Sequence, residues 1–507
     1  MAKTLAKVYS AELEGIDAKL IEVEVDLNVG LHSFNIVGLA DKALNEAKER
    51  VSSAIKNTGF KPPTKENRKI TVNLAPADVK KAGAQYDLAI AVGYLIATEQ
   101  IRPFSSADKI FIGELSLNGE VRPVPGCLNT ALLARETGLK YLFLPRENAP
   151  EASLVNDVII IPVATLAELI NHLGEATAIA PQPQTEFPPE DLKAADIAEI
   201  KGHEFAKRAL VVAAAGNHNI LMSGTPGSGK TMLARTLVSL LPPLTLEEAI
   251  EVSRIWSSIG LLKGSYAKSR PFRSPHQTAS PAAVIGGGVN PRPGEISLAH
   301  RGVLFLDELP EFRRDLLEAL RQPLESGEIV VARARNNLVF PARFILVAAM
   351  NPCPCGFWGD DEKECRCTAN EVFRYQKKIS GPLLDRIDIQ INVPRLNFES
   401  LERAPGDGAR LKDAVHRARG AQALRFEKSG IKKRTNSELS SKECEESIAL
   451  TKEANELLKQ VFNRSLLSVR GYYRILKVSR TIADLDNSEL VEAPHVAEAF
   501  QLRIREE

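Results

Sequence analysis

The sequence predicts an α/β protein in three parts, and three observations predict it. Short apolar runs interleave with helical patterns from Leu5 to about Leu173. A second set of apolar strands begins at Asn219, and its first member runs straight into a glycine-rich loop and a helix. From Phe398 onward the pattern is helical alone. The stretch Ile179 to Asp191 holds four prolines and few large apolar residues, so a semi-extended linker parts the first segment from the second. These signals set boundaries at 1–176, 177–192, 193–396 and 397–507.

Composition bounds the class. A chain of 507 residues is a soft prior for about three domains. With 44% hydrophobic and 25% charged residues it can bury large cores. Lys and Arg (65) nearly cancel Asp and Glu (64), so any polyanion surface has to come from local clustering. No run reaches eighteen apolar residues, and Met1 to Leu20 is charged throughout, with no apolar leader core. A cytoplasmic protein with no membrane partner is expected.

In the first part, strands are expected at Leu20 to Val25, Ile70 to Leu74 and Lys109 to Gly113, with helices at Ala43 to Ile55 and Asp87 to Ala97. Val72-Asn73-Leu74-Ala75-Pro76-Ala77-Asp78, the run Gly113 to Val124 and Phe143-Leu144-Pro145 resemble the proteolytic domain of Lon-type peptidases, a ribosomal-S5-like fold. That family works through a Ser–Lys dyad. Here Gln85 stands at the serine's place and Leu128 at the lysine's, and neither side chain can attack a carbonyl. The resemblance therefore implies a scaffold without peptidase chemistry.

The second part opens on Asn219 to Leu241. Gly224, Thr225, Pro226, Gly227, Ser228, Gly229, Lys230 and Thr231 fit G-x-x-x-x-G-K-[ST] at every fixed position. Glycines let backbone N–H groups close around phosphates, Lys230 reaches the β/γ oxygens, and the Thr231 hydroxyl serves Mg²⁺. ATP and Mg²⁺ are the expected cofactors. The apolar strand Val303 to Leu306 ends in Asp307 and Glu308, an acid to hold the Mg²⁺ shell followed by one to polarise water.

Other motifs add to these. Ile200 to Glu204, including His203, resembles the segment that covers adenine in AAA+ ATPases, and Asn351, after the strand Phe344 to Met350, resembles their sensor 1. Arg386 in Leu383-Leu384-Asp385-Arg386-Ile387-Asp388 resembles their arginine finger, which acts on a neighbouring subunit. Arg470 in Ser468-Val469-Arg470-Gly471 resembles their sensor 2, with Arg474 as the competing candidate. Together with Arg273 to Ser280, Gly286 to Gly288, Pro293 to His300 and Asn351 to Gly356, these residues resemble the magnesium-chelatase-like AAA+ family, ComM/YifB branch. The resemblance implies a Lon-protease/ribosomal-S5-like domain, an AAA+ P-loop ATPase domain, a C-terminal helical lid and a homo-oligomeric ring.

Two stretches carry charge of one sign. Val252 to Gly294 has Arg254, Lys263, Lys268, Arg270, Arg273 and Arg292 and no acid; Ile329 to Gly356 has Arg333, Arg335 and Arg343 and no acid. The second reads as a hairpin turning at Asn336-Asn337, with Arg333 and Arg335 on one strand face and DNA as the expected contact. Cys353, Cys355, Cys365 and Cys367 form two close pairs suited to one structural Zn²⁺. The resemblance implies an ATP-dependent hexameric DNA motor, a helicase promoting branch migration in recombination of incoming DNA. The alternative is a chelatase-type motor that remodels a protein partner for metal insertion.

Overall fold

The computed structural model describes residues 5–38, 41–65, 67–188, 197–288, 291–332, 337–360, 362–396, 407–464 and 468–503. The chain forms two compact units, residues 1–188 with 245–267, and residues 189–244 with 268–507.

The first unit is built on β1 (Leu5–Glu14), β2 (Asp17–Val29), β3 (Ser33–Val37), β4 (Arg68–Ala75), β5 (Lys109–Phe111), the two-stranded ribbon β6 (Glu114–Leu115) and β7 (Val121–Arg122), β8 (Tyr141–Pro145) and β9 (Ile159–Val163). Seven strands form one mixed sheet in the order β3-β4-β2-β1-β5-β8-β9. Alternation fixes its faces: Ile21, Val23, Val25 and Leu27 of β2 are buried, while Glu22, Glu24 and Asp26 between them are not. The helix Asp87–Ala97 covers the buried face and is itself almost wholly buried. The proline-rich segment differs from a free linker. Its Ile179 N–H donates to His172 Nδ1 at 2.9 Å, Gln182 N–H to Ile160 O at 2.8 Å, and the Phe187 ring lies against Tyr266. Prolines remove donors but leave these intervening N–H groups to pair.

The helix Leu246–Ser257 follows the phosphate-loop segment in sequence yet folds into this first unit. A Thr245/Glu248 capping box starts it. Asn129 Nδ2 donates to Arg254 O, Gly126 N–H donates to Ser257 O, and the Arg254 guanidinium pairs with Asp17 at 2.5 Å.

The second unit contains β10 (Ile220–Ser223), β11 (Phe272–Arg273), β12 (Gly286–Gly287), β13 (Arg292–Pro293), β14 (Val303–Leu306), β15 (Glu328–Val331), β16 (Leu338–Pro341), β17 (Ile345–Met350) and β18 (Ile389–Asn392). Five of them make a parallel sheet in the order β11-β14-β17-β10-β18. β14, β17 and β10 are buried along nearly their whole length, and their sequences are correspondingly apolar without alternation. β15 and β16 form the expected hairpin, Glu328 facing Pro341 and Val331 facing Leu338. Its Arg333, Arg335 and Asn336 lie outside the described residues.

Among the described residues five α-helices follow: Gly408–Lys428, Ser441–Ser447, Lys452–Arg464, Val469–Leu485 and Ala493–Gln501. The segment Cys444 to Phe462, expected to be helical, is broken: Ile448 is extended (φ −111°, ψ 108°), and Leu450 bridges to Val491. Thr451 then caps the next helix through Oγ1, a local hydrogen bond that competes with helix continuation. These helices share one apolar core with the sheet, including Val347, Ile389, Val415, Phe426 and Ile482. No helix among the described residues is long and apolar enough to cross a membrane.

Candidate nucleotide site and cysteine cluster

The phosphate loop joins the end of β10 to the helix Lys230–Leu240. Gly229 caps that helix at φ 84°, a left-handed conformation that costs glycine nothing. Lys230 is buried, and its ammonium donates to Gly224 O at 2.8 Å and Thr225 O at 2.9 Å. Burial lowers its pKa, against the pull of Asp307. The same ammonium lies 3.4 Å from Asn351 Oδ1, so the loop lysine and the tip of β17 meet. Thr231 Oγ1 donates to Asp307 Oδ2 at 2.9 Å, bringing the loop hydroxyl onto the acid that ends β14.

Next to Asp307, Glu308 is exposed and holds φ 52°, a region non-glycine residues occupy at some cost. Asp307 Oδ1 accepts the Glu308 N–H at 3.0 Å. Tyr375 is buried near both Glu311 and Glu308, and burial first, then these acids, push its phenol up to about 12. His203 also reaches the loop: a Cβ at Gly229 would stand 3.7 Å from His203 Nε2. Burial and Lys207 lower the His203 pKa, opposed by a hydrogen bond with the Ser228 backbone.

ATP and Mg²⁺ fit this set by its chemistry. The loop presents a buried ammonium, a helix N-terminus and the buried Thr225 Oγ1, which has no partner among the described residues, while a hydroxyl and a carboxylate stand together as hard oxygen donors.

Arg386 and Arg470 stand elsewhere. Asn219, at the start of β10, donates Nδ2 to Arg386 O at 3.1 Å, placing Arg386 at the end of the sheet opposite the phosphate loop. The Arg386 side chain is buried and pairs with Glu325. Arg470 lies 3.7 Å from the same Glu325, not beside Lys230. Arg474 is committed to Asp388 and to Arg386 O. Burial opposes ionisation of Asp388, but Arg474 and His218 overrule it and hold the carboxyl well below the usual range. His218 continues the chain to Thr481 Oγ1 at 2.8 Å, tying the helical region to the sheet.

Three of the six basic residues in the first one-sided stretch are engaged within the fold. Arg254 pairs with Asp17, Arg270 donates to the carbonyls of Pro242, Pro243 and Arg301, and Arg273 grips Glu295 at 2.5 and 2.7 Å. Asp17, far off in sequence, and Glu295, just past the end of the stretch, supply the counter-charges that the local pattern lacked.

The four cysteines converge. Sγ–Sγ separations are 3.4 Å for Cys353–Cys355, 3.7 Å for Cys353–Cys365 and 3.5 Å for Cys355–Cys365, and all four sulfurs lie within 4.8 Å of one another. A tetrahedral Zn²⁺ with Zn–S of about 2.3 Å sets its ligand sulfurs about 3.8 Å apart, so the donor set fits a metal. Phe357 and Arg366 N–H groups point at Cys355 Sγ, and Cys367 N–H donates to Cys365 Sγ. The cluster also touches the nucleotide loop: at Gly356 (φ +88°) a Cβ would fall 2.7 Å from Pro226. Sequence reading missed this contact, along with Tyr375 and Glu325. No local pattern marks them, since Glu325 and Arg386 are 61 positions apart.

In the first unit, Gln85 Nε2 donates to Glu12 Oε2 at 3.0 Å, with Ala82 N–H and the Tyr86 hydroxyl on the same oxygen, and Leu128 is buried. No nucleophile occupies either expected dyad position.

Comparison with known proteins agrees with this geometry. Family models described as "Magnesium chelatase, subunit ChlI", "Subunit ChlI of Mg-chelatase" and "Magnesium chelatase, subunit ChlI C-terminal" match residues 196–401, 23–148 and 407–503. Competence protein ComM of Haemophilus influenzae is 44% identical over 507 residues, covering 99% of this chain and 97% of the relative. YifB of Escherichia coli is 40% identical over 504 residues, with 99% and 97% coverage. A Lon protease of Rhizobium meliloti is 29% identical over 166 residues, 31% of this chain and 20% of that protein. With every segment matched and near-complete coverage of its relatives, this chain belongs to the ComM/YifB family of magnesium-chelatase-like AAA+ proteins.

Proposed function

We propose that this protein is an ATP-driven DNA motor working as a ring of identical copies, a hexameric helicase that promotes branch migration during recombination of incoming DNA. The observation that carries the ATPase part is the meeting of Lys230, Thr231, Asp307 and Asn351 at one loop, with exposed Glu308 beside them. Mg²⁺, when bound with ATP, screens phosphate charge and orients the β- and γ-oxygens. Lys230 neutralises those oxygens, while Thr231 and Asp307 hold the ion. Glu308 accepts the proton of the attacking water as its oxygen joins the γ-phosphorus and the bond to the β–γ bridging oxygen breaks.

Arg386 sits at the far end of the sheet from its own phosphate loop. This favours action on a neighbouring copy's phosphate, and Arg470, held at the same Glu325, joins it there. A guanidinium acting in trans needs a ring. Arg333 and Arg335, which lie between β15 and β16 in sequence, are the proposed DNA contacts. Cys353, Cys355, Cys365 and Cys367 hold one Zn²⁺ that orders the loop behind Asn351. All four ligands come from the protein, so the ion is structural.

The deciding experiment is steady-state ATP hydrolysis with and without single-stranded and forked DNA across a salt series, with particle mass and zinc content measured on the same preparation. The expected result is DNA stimulation that fades with salt as phosphate contacts are lost, a six-copy particle, and one zinc per chain. Absence of stimulation at low salt would transfer the reading to a chelatase-type motor acting on a protein partner, which the three family descriptions favour.

A further inference from the structure

Glu325 sits where two functions meet. It lies in the helix Arg321–Ser326, which ends at Gly327 (φ 73°) and passes directly into β15. Ala342 N–H donates to Gly327 O at 2.8 Å, so the turn also anchors the returning strand. One Glu325 oxygen pairs with Arg386, and the other lies 3.7 Å from Arg470. The carboxyl is held below its usual range, chiefly by Arg386.

The two partners are unequally buried. The Arg386 side chain is 7% exposed and Glu325 60% exposed. A buried guanidinium is costly to leave without partners, and Arg386 keeps the Pro382 carbonyl at 2.8 Å, whereas an exposed carboxylate gives up little by turning to water. Arg386 Nε and Arg474 Nε are buried without hydrogen-bond partners among the described residues, so the Glu325 pairing leaves one Arg386 donor unused. Both arginines line a cavity of about 560 Å³, together with Arg343, Lys433, Arg470 and Lys477. A second cavity of about 690 Å³, lined by Arg321, Ile329, Val330 and Arg386, adjoins Glu325 and gives the carboxylate somewhere to swing.

We propose that Glu325 is a displaceable latch: it occupies Arg386 and Arg470 until a phosphate group of a second copy's nucleotide takes its place, and its release frees the base of the β15–β16 hairpin. A phosphate offers more acceptor oxygens than one carboxylate. Phosphate arrival and hairpin position thereby become two readings of one two-state element. The proposal rests on Arg386 acting in trans, as set out above.

The test compares ATP turnover of the full chain as wild type, Glu325→Gln, Glu325→Asp and the double variant Glu325→Gln/Arg386→Ala, each without and with single-stranded DNA. Removing the competing charge is expected to raise DNA-free turnover by roughly fivefold in Glu325→Gln, given the worth of a largely exposed ion pair. DNA should then stimulate that variant less than wild type. Glu325→Asp, with a shorter reach to Arg386, should show a smaller rise of the same sign and serves if Glu325→Gln folds poorly. The double variant should bind a fluorescent ATP analogue but not turn over, which places the gain on Arg386. DNA-free turnover equal to or below wild type in Glu325→Gln would overturn the latch and make Glu325 a positioning partner or an idle surface pair. If inorganic phosphate alone raised wild-type DNA-free turnover as much as Glu325→Gln does, a free anion rather than a neighbour's nucleotide would be the displacing group, overturning that part. Lack of DNA stimulation in wild type would defeat the DNA-motor reading, while the DNA-free comparison would still decide the latch.

Discussion

Glu12 is the most perturbed carboxyl at the vanished dyad. Burial raises it to about 7 from 4.5, even though the Tyr86 hydroxyl and Ala82 N–H favour its charged form. Between those values the folded chain keeps a proton that the unfolded chain releases. The stabilisation is full below the unfolded pKa and is lost as pH rises through the folded one. A displacement of this size corresponds to about 3 kcal/mol. Wild type should therefore lose about 2–3 kcal/mol relative to Glu12→Gln between pH 5 and pH 8, read by denaturant unfolding of the first unit. A difference that did not change with pH would show that Glu12 is solvated in the folded state. Lys230, Thr231, Asp307 and Glu308 were legible at this scale because their spacing along the chain is their chemistry. Glu12, Glu325 and Tyr375 were not, because their significance lies in partners 74, 61 and 67 or 64 positions away (Tyr86 to Glu12; Arg386 to Glu325; Tyr375 to Glu308 or Glu311).

Among elements, the cysteine loop and the phosphate loop are the pair to consider together. Gly356 holds φ +88°, and a Cβ there would fall 2.7 Å from both Pro226 Cδ and Cγ. Gly356→Ala combines backbone strain of about 1–3 kcal/mol with a push on the phosphate loop. The Michaelis constant for ATP should rise roughly tenfold while zinc content stays constant, as read by steady-state kinetics and metal analysis. An unchanged constant would mean the loops move independently. The hairpin was legible as an element from its alternation, and the register Glu328 to Pro341 agrees with that reading. The one-sided arginines were misleading at the same scale, since Arg254, Arg270 and Arg273 are engaged by acids and carbonyls outside the window that suggested a polyanion surface.

For the molecule as a whole, the telling feature is that sequence order and compact units disagree. The helix Leu246–Ser257 lies between the phosphate loop and β11 in sequence yet packs within the first unit, with Ala249, Val252 and Ile255 buried. Cutting the chain at the proline-rich segment would strip the cover from this apolar face. Residues 189–507 expressed alone should be far less soluble than the full chain, and Ala249→Ser with Val252→Ser and Ile255→Gln should restore solubility, judged by gel filtration. A soluble monomeric fragment without those changes would show that the helix finds cover elsewhere.

The sequence by itself determined the family, through motifs spread along the whole chain, and marked the candidate phosphate loop, the acids after β14 and the cysteine set, because each of these is a local spacing whose chemistry needs no knowledge of the rest of the fold. Tertiary structure alone decided that Arg386 and Arg470 share Glu325 at the sheet end opposite Lys230, that Gly356 of the cysteine loop leaves no room for a Cβ against Pro226, and that a helix following the phosphate-loop segment belongs to the first unit. The reason is physical: charge pairing and apolar burial are satisfied by whichever groups the packed chain brings within a few ångströms, and that proximity is not written in any window of sequence.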